Sequence, residues 1–187
     1  VSRRRDSLSR QSARSGDKGT YMEYFEIVNE QGEVIGTAPR EKCHGNPSLT
    51  HRAAHVLVFG TDGRLLLQLR SSKKDIQPGK WDTSVGGHLA PGETYEQAAL
   101  REMSEELGVG GVELKYLYDY PLRNEVESEN IRSFYAVHDG PFDYQSEEID
   151  DIRFFGLDQI KELLGTGIFT PNFEQEFMMY EQWRRHV

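Results

Sequence analysis

At 187 residues, 36% hydrophobic and 28% charged, the chain has the composition of one folded domain large enough for a real core. No apolar run approaches the roughly 18 residues that cross a bilayer, and no apolar segment follows the N-terminal arginines, which excludes a secretory signal. The net charge of −9 is uneven: six basic and two acidic residues in 1–21 give +4, and the remaining −13 argues against broad nucleic-acid binding.

The one cysteine, Cys43, excludes an internal disulfide and suits a reducing cytoplasm. Residues 1–21 are Ser/Arg-rich with almost no apolar content. They read as a disordered basic tail ahead of a domain spanning 22–187, with Met22 a candidate natural start.

From Tyr24 the pattern is that of strands. Residues 24–28 and 33–36 flank the turn Asn29-Glu30-Gln31-Gly32, a hairpin signal. Residues 40–46 form a polar connector with room for one helical turn. The near-continuous apolar runs 54–59 and 64–70, joined at Thr61-Asp62-Gly63, suit buried central strands.

Residues 71–81 read as a polar loop. Arg70, with Lys73 or Lys74 beside it, is the candidate for gripping a substrate phosphate, because it ends a buried strand where open α/β sheets place ligands. The competing reading of these cations is a solvated loop.

Gly86-Gly87 and Gly92 bracket a tight loop that feeds a helix ending at Gly108. Thr94 or Glu93 serves its start, and Gln97 stands where a capping box wants it. On that helix Glu102 lies three and four positions before Glu105 and Glu106, so the three carboxylates share a face. They are either a solvated acidic surface or oxygen ligands for Mg2+ or Mn2+.

Farther on, 112–121, 131–138 and 149–155 are strand-like, with an acidic loop at 125–130. Residues 157–164 and 172–185 read as helices, the first capped by Asp158. Core packing is the simplest role for the last helix; closing the site and packing a homodimer are the alternatives. Mixed strands with about three helices point to an α/β sandwich.

Gly87, Glu93, Arg101, Glu102, Met103, Glu105, Glu106, Gly108 and Val109 fill every specified position of a Nudix box. The chain is therefore similar to the Nudix hydrolases, which implies an α/β/α sandwich around a mixed β-sheet. The resemblance implies metal ligation by Glu102, Glu105, Glu106 and the Gly87 carbonyl, with Glu93 bracing Arg101. The implied reaction is Mg2+- or Mn2+-dependent attack of water on a diphosphate in a small molecule such as a nucleoside diphosphate derivative. Candidates for the general base are Glu105, Glu106, Glu147, Glu148, Glu127 and Glu129. A Nudix-like sensor that binds nucleotides without cleaving them is the alternative, and the retained box glutamates oppose it.

Residues 24–107 also resemble the isopentenyl diphosphate isomerase branch of the superfamily. Asn29 to Gly36, His44, His51, Ser72-Lys73-Lys74, Pro78-Gly79 with Trp81, and Ser84 to His88 carry the likeness. In the isomerases the histidines matching His44, His51 and His88 bind a metal. The catalytic cysteine, however, is replaced here by Gly86, and Ile131 takes the place of a second glutamate near Glu129. Both departures weigh against isomerase activity.

Overall fold

The structure, a computed structural model, describes residues 22–74 and 76–186. The basic tail at 1–21 lies outside these residues.

Strands β1 (Tyr24–Val28) and β2 (Val34–Pro39) form an antiparallel hairpin, followed by the single-turn helix α1 (Arg40–Cys43). The central sheet contains β3 (Thr50–Phe59), β4 (Leu65–Arg70), β5 (Trp81–Asp82), β6 (Val85–His88), β7 (Lys115–Arg123), β8 (Ser128–Val137) and β9 (Ile149–Phe155). Three helices complete the fold: α2 (Tyr95–Leu107), α3 (Leu157–Leu163) and α4 (Pro171–Trp183).

The sheet is mixed. β3 and β8 run parallel over ten residue pairs, whereas β3–β6, β4–β9 and β7–β8 are antiparallel. β3 and β4 meet only at Phe59 and Leu65 and then separate, leaving an edge of β3 for β6 and an edge of β4 for β5.

Alternation on the strands separates two cores. Ala54, Val56 and Val58 of β3 face α2, whose Ala98, Ala99, Met103 and Leu107 recur at helical spacing. Leu57 and Phe59 face the other way, toward Ile160 of α3 and Phe173 and Phe177 of α4. The last helix therefore packs into the core. The result is the expected three-layer α/β/α sandwich.

Several local expectations change. Gly86 and Gly87 are not loop residues; they pair with His55 and Ala54 as part of β6. The acidic loop ends early, because β8 begins at Ser128 and places Glu129 in the sheet. Asp158 does not cap α3: the helix starts at Leu157 after Gly156, leaving Asp158 in the first turn, 3.1 Å from Lys161. α4 is capped by Thr170, whose hydroxyl accepts from Phe173 N, ahead of Pro171 at the first helical position.

Candidate active site

The site is assembled where α2 crosses β6. Thr94 and Gln97 cap each other reciprocally at the helix start, and Gly108 ends it with φ 67°. These local signals fix the phase of the helix, and that phase turns Glu102 and Glu106 toward the sheet. Gly87 is what permits the approach: a Cβ there would lie 2.0 Å from the Glu102 carboxyl carbon.

Arg101 is the hub of this region. Its Nε and Nη2 donate to the two oxygens of Glu93 at 2.8 and 3.0 Å, and Nη2 also reaches the His88 carbonyl at 3.0 Å. Its Nη1 donates to Glu102 at 2.7 Å and Glu105 at 3.1 Å. Glu93 also accepts from Ala90 N at 2.8 Å. The guanidinium fork thus ties loop, strand and helix together. Its hydrogen bond holds the Glu93 carboxyl below the usual range.

The three box glutamates differ in setting. Glu105 is half-exposed, Glu102 is 14% exposed, and Glu106 is buried with Gln68 donating to it at 3.3 Å. Burial, with the neighbouring Glu102 and Glu148 carboxylates, pushes Glu106 up to about 8. Burial also raises Glu102, with Arg101 acting against it. Two carboxylates that oppose each other's ionisation suit a divalent cation, which would remove the repulsion.

At the rim, Arg70 donates to Asp82 at 3.2 Å and to the Ile76 carbonyl at 3.1 Å. Lys73 is exposed, whereas Lys74 pairs with Glu148 at 2.9 Å. Glu148 is close enough for its charge to act on Glu106, and Glu147 is exposed.

The opposite face of the same strands carries a second cluster. Ring nitrogens of His44, His51 and His88 lie within 4.8 Å of one another. Glu129 joins them, with Oε1 2.8 Å from His88 Nε2 and 3.2 Å from His51 Nε2. Phe25, fully buried, stacks on both His51 and His88 with centroids 4.9 and 4.3 Å apart. The ring of His51 reveals a conflict. Its Nδ1 is 3.3 Å from the Leu49 carbonyl, which can only accept, so in the neutral ring Nε2 presents a lone pair to the Glu129 carboxylate. Nε2 of His44 and of His51 are buried without a hydrogen-bond partner among the described residues. Protonation of His51 or a shared cation would resolve this. His44 is held down to about 4 by burial and by Arg40, and it remains in the neutral, ligating form. Burial opposes ionisation of Glu129, but His51 and His88 hold its carboxyl well below the ordinary range.

Arg40 was not singled out from sequence, and Glu127 was named there only as a candidate general base. Arg40 follows the hairpin, 42% exposed, with Nη1 3.4 Å from His88 Nδ1 and 3.1 Å from Glu23. Glu127 lies two positions before Glu129, within reach of the fields of His51 and His88, and accepts from Asn172 at 3.3 Å. Ile131, two positions after Glu129, is buried in the apolar core. Glu125, Glu127 and Glu129 alternate along these five residues, and the pairing of β3 with β8 sets Glu129 opposite His51.

Comparison with known proteins agrees with this geometry. Residues 49–176 match the NUDIX domain family. An uncharacterised Nudix hydrolase of Yersinia pestis is 37% identical over 139 residues, covering 74% of this chain and 76% of the relative. An isopentenyl-diphosphate Delta-isomerase of Streptomyces avermitilis is 36% identical over 158 residues, covering 81% of this chain and 80% of the relative. A crystal structure from Deinococcus radiodurans superposes with a TM-score of 0.74 at 22% identity, covering 83% of this chain and 98% of that one, a likeness of fold. With a complete box on α2, a family match over most of the folded region and Nudix hydrolases among its relatives, the chain belongs to the Nudix family and is a hydrolase of that family.

Proposed function

We propose that the chain hydrolyses a diphosphate linkage in a nucleoside diphosphate derivative or similar small molecule, using Mg2+ or Mn2+. The observation that carries this is the contact of Glu102 with the bare Gly87 backbone, next to the buried Glu106. Glu102, Glu105, Glu106 and the Gly87 carbonyl are the proposed ligands. When bound, the cation would neutralise charge on the diphosphate oxygens and ease ionisation of a water.

The chain's own groups do the rest. Arg101 and Glu93 keep the β6 backbone and α2 in register. Of the box carboxylates named as base, Glu105 is open to solvent and Glu106 is sealed, so Glu105 is assigned to take the proton of the attacking water. Arg70 and Lys73 are assigned to the substrate phosphates, and Arg40, exposed beside His88, joins them. Binding through Arg70 requires the phosphate to displace or share its Asp82 partner.

The test is release of phosphate or nucleoside monophosphate from a panel of nucleoside diphosphates, nucleotide sugars, ADP-ribose, NADH and dinucleoside polyphosphates. Cleavage with Mg2+ or Mn2+ and none in excess chelator is expected. Turnover that persists in chelator contradicts the assignment, and binding without cleavage across the panel makes the chain a sensor.

A second reading has specific support: the intact cluster of His44, His51, His88 and Glu129, with Glu127 beside it, and an isomerase among the relatives. Gly86, which has no group to move a proton, opposes it. Incubation with isopentenyl diphosphate and both Mg2+ and Zn2+, followed by NMR for the allylic isomer, decides. No isomer is expected.

A further inference from the structure

The α4 side of the sheet holds a carboxylate–imidazole pair that the proposed hydrolysis leaves unused. Glu176 projects from α4 and is 0% exposed. Its Oε1 accepts from Ser133 Oγ at 2.6 Å, and its Oε2 lies 3.2 Å from Nδ1 of His55 on β3. Tyr120 OH approaches the same nitrogen at 3.4 Å. A carboxylate cannot donate, so Nδ1 carries a hydrogen and the reactive end of the ring is Nε2.

Nε2 has no hydrogen bond to any described residue, although its side chain is only 13% exposed. The ring lies against Gly86, where a Cβ would come within 3.1 Å of Cδ2 and 3.2 Å of Nε2. His55 and Gly86 are paired across β3 and β6, as are Ala54 and Gly87 one step along. The His55 edge and the Glu102 carboxylate thus flank the same two-glycine strip from opposite faces, and His51 shares the face of His55.

We propose that His55 contacts the substrate, its Nε2–H donating to a phosphoryl oxygen that reaches across the Gly86–Gly87 strip. The assignment rests on the diphosphate reading and names a further residue for it. Glu176 is then a positioning residue that fixes the ring through Nδ1, and Gly86 is required because any side chain would push the ring away. Burial alone would keep this imidazole neutral, but the Glu176 carboxylate overrides it and lifts the ring to about 9, so the donor form prevails at neutral pH. A tie between α4 and the sheet would need Glu176, Ser133 and Nδ1, but it would leave no reason for a fixed, unpartnered Nε2.

The test is a titration of the full chain, in Mg2+, with methylenediphosphonate, a diphosphate analogue whose P–C–P bridge is not hydrolysed, followed by long-range proton–nitrogen NMR of the histidine rings. The His55 Nε2 resonance should move saturably with the probe, and His55→Phe should weaken the probe by about 10-fold or more, the size of a lost charge-assisted hydrogen bond. If the probe saturates while the His55 signals stay still, or if it does not saturate at all, His55 is a tie and the proposal is wrong. The wild-type titration needs no variant to fold. It also separates this proposal from the hydrolase reading, since failure to cleave any substrate would leave the His55 shift readable.

Discussion

A methyl group on Gly87 would lie 2.0 Å from the carboxyl carbon of Glu102 and 2.1 Å from its Oε1. No rotamer adjustment of a few tenths of an ångström accommodates that overlap. The strand must be bare at this point for the helix carboxylate to reach the backbone. Gly87→Ala should therefore move Glu102 by about an ångström and lower turnover on the order of 100-fold, with a stability loss of about 1–3 kcal/mol from overpacking. Steady-state kinetics with a melting curve checks both. Wild-type turnover in this variant would mean that Glu102 is not part of the machinery.

Arg101 should not tolerate lysine. The guanidinium serves Glu93 through two nitrogens and Glu102 and Glu105 through a third, and a single ammonium cannot reproduce that fork. Arg101→Lys is expected to weaken Mn2+ binding and turnover by about 10- to 100-fold, as loss of a supporting partner typically does. Mn2+ binding followed by electron paramagnetic resonance measures the first effect directly. Unchanged affinity would restrict Arg101 to holding the loop.

The His55–Glu176 pair makes stability depend on pH in a defined direction. The folded-state value of His55, about 9, lies above the ordinary 6.5. A raised imidazole contributes stability that is fully present below about 6.5 and is lost as pH climbs through about 9. The shift corresponds to at most on the order of 3 kcal/mol. Urea unfolding at about pH 6, 7.5 and 9.5 should show this decline in the wild type and a flatter profile in Glu176→Gln. Equal slopes in both proteins would remove the pair from the account.

The histidine cluster should take a divalent ion of its own. Two buried ring nitrogens lack a hydrogen-bond partner among the described residues, and the neutral form of His51 opposes Glu129. Co2+ added to metal-free protein is expected to give nitrogen-ligand absorption bands that His51→Gln abolishes and Glu106→Gln leaves in place. Bands lost in Glu106→Gln instead would put the ion at the box.

Much of α2 was legible because its signals are local. Thr94 with Gln97, Gly108, and the spacing of Glu93, Arg101 and the three glutamates are all set within one loop and one helix. Gly86 and Gly87 were misread as loop because glycine has weak strand propensity, and only the free edge of β3 and the nearness of Glu102 make them a strand. Glu127 and Glu129 were legible only as candidate bases, because their place beside the histidines depends on the pairing of β3 with β8. His55 gave no signal at all. It sits in an apolar strand, and its partner Glu176 is 121 positions away on the last helix. Arg40 and Phe25 were missed for a similar reason, since only the folded hairpin brings them against His88.

The central claim is that the carboxylate face of α2 performs metal-dependent diphosphate hydrolysis, and Glu106 tests it most directly. It is the buried member of the trio, and glutamine keeps its shape while removing its charge. Turnover of a cleaved diphosphate in saturating Mg2+ should fall by roughly 1,000-fold or more in Glu106→Gln, several kcal/mol of lost transition-state stabilisation. Near-normal turnover in a folded Glu106→Gln protein would place the chemistry elsewhere in the molecule.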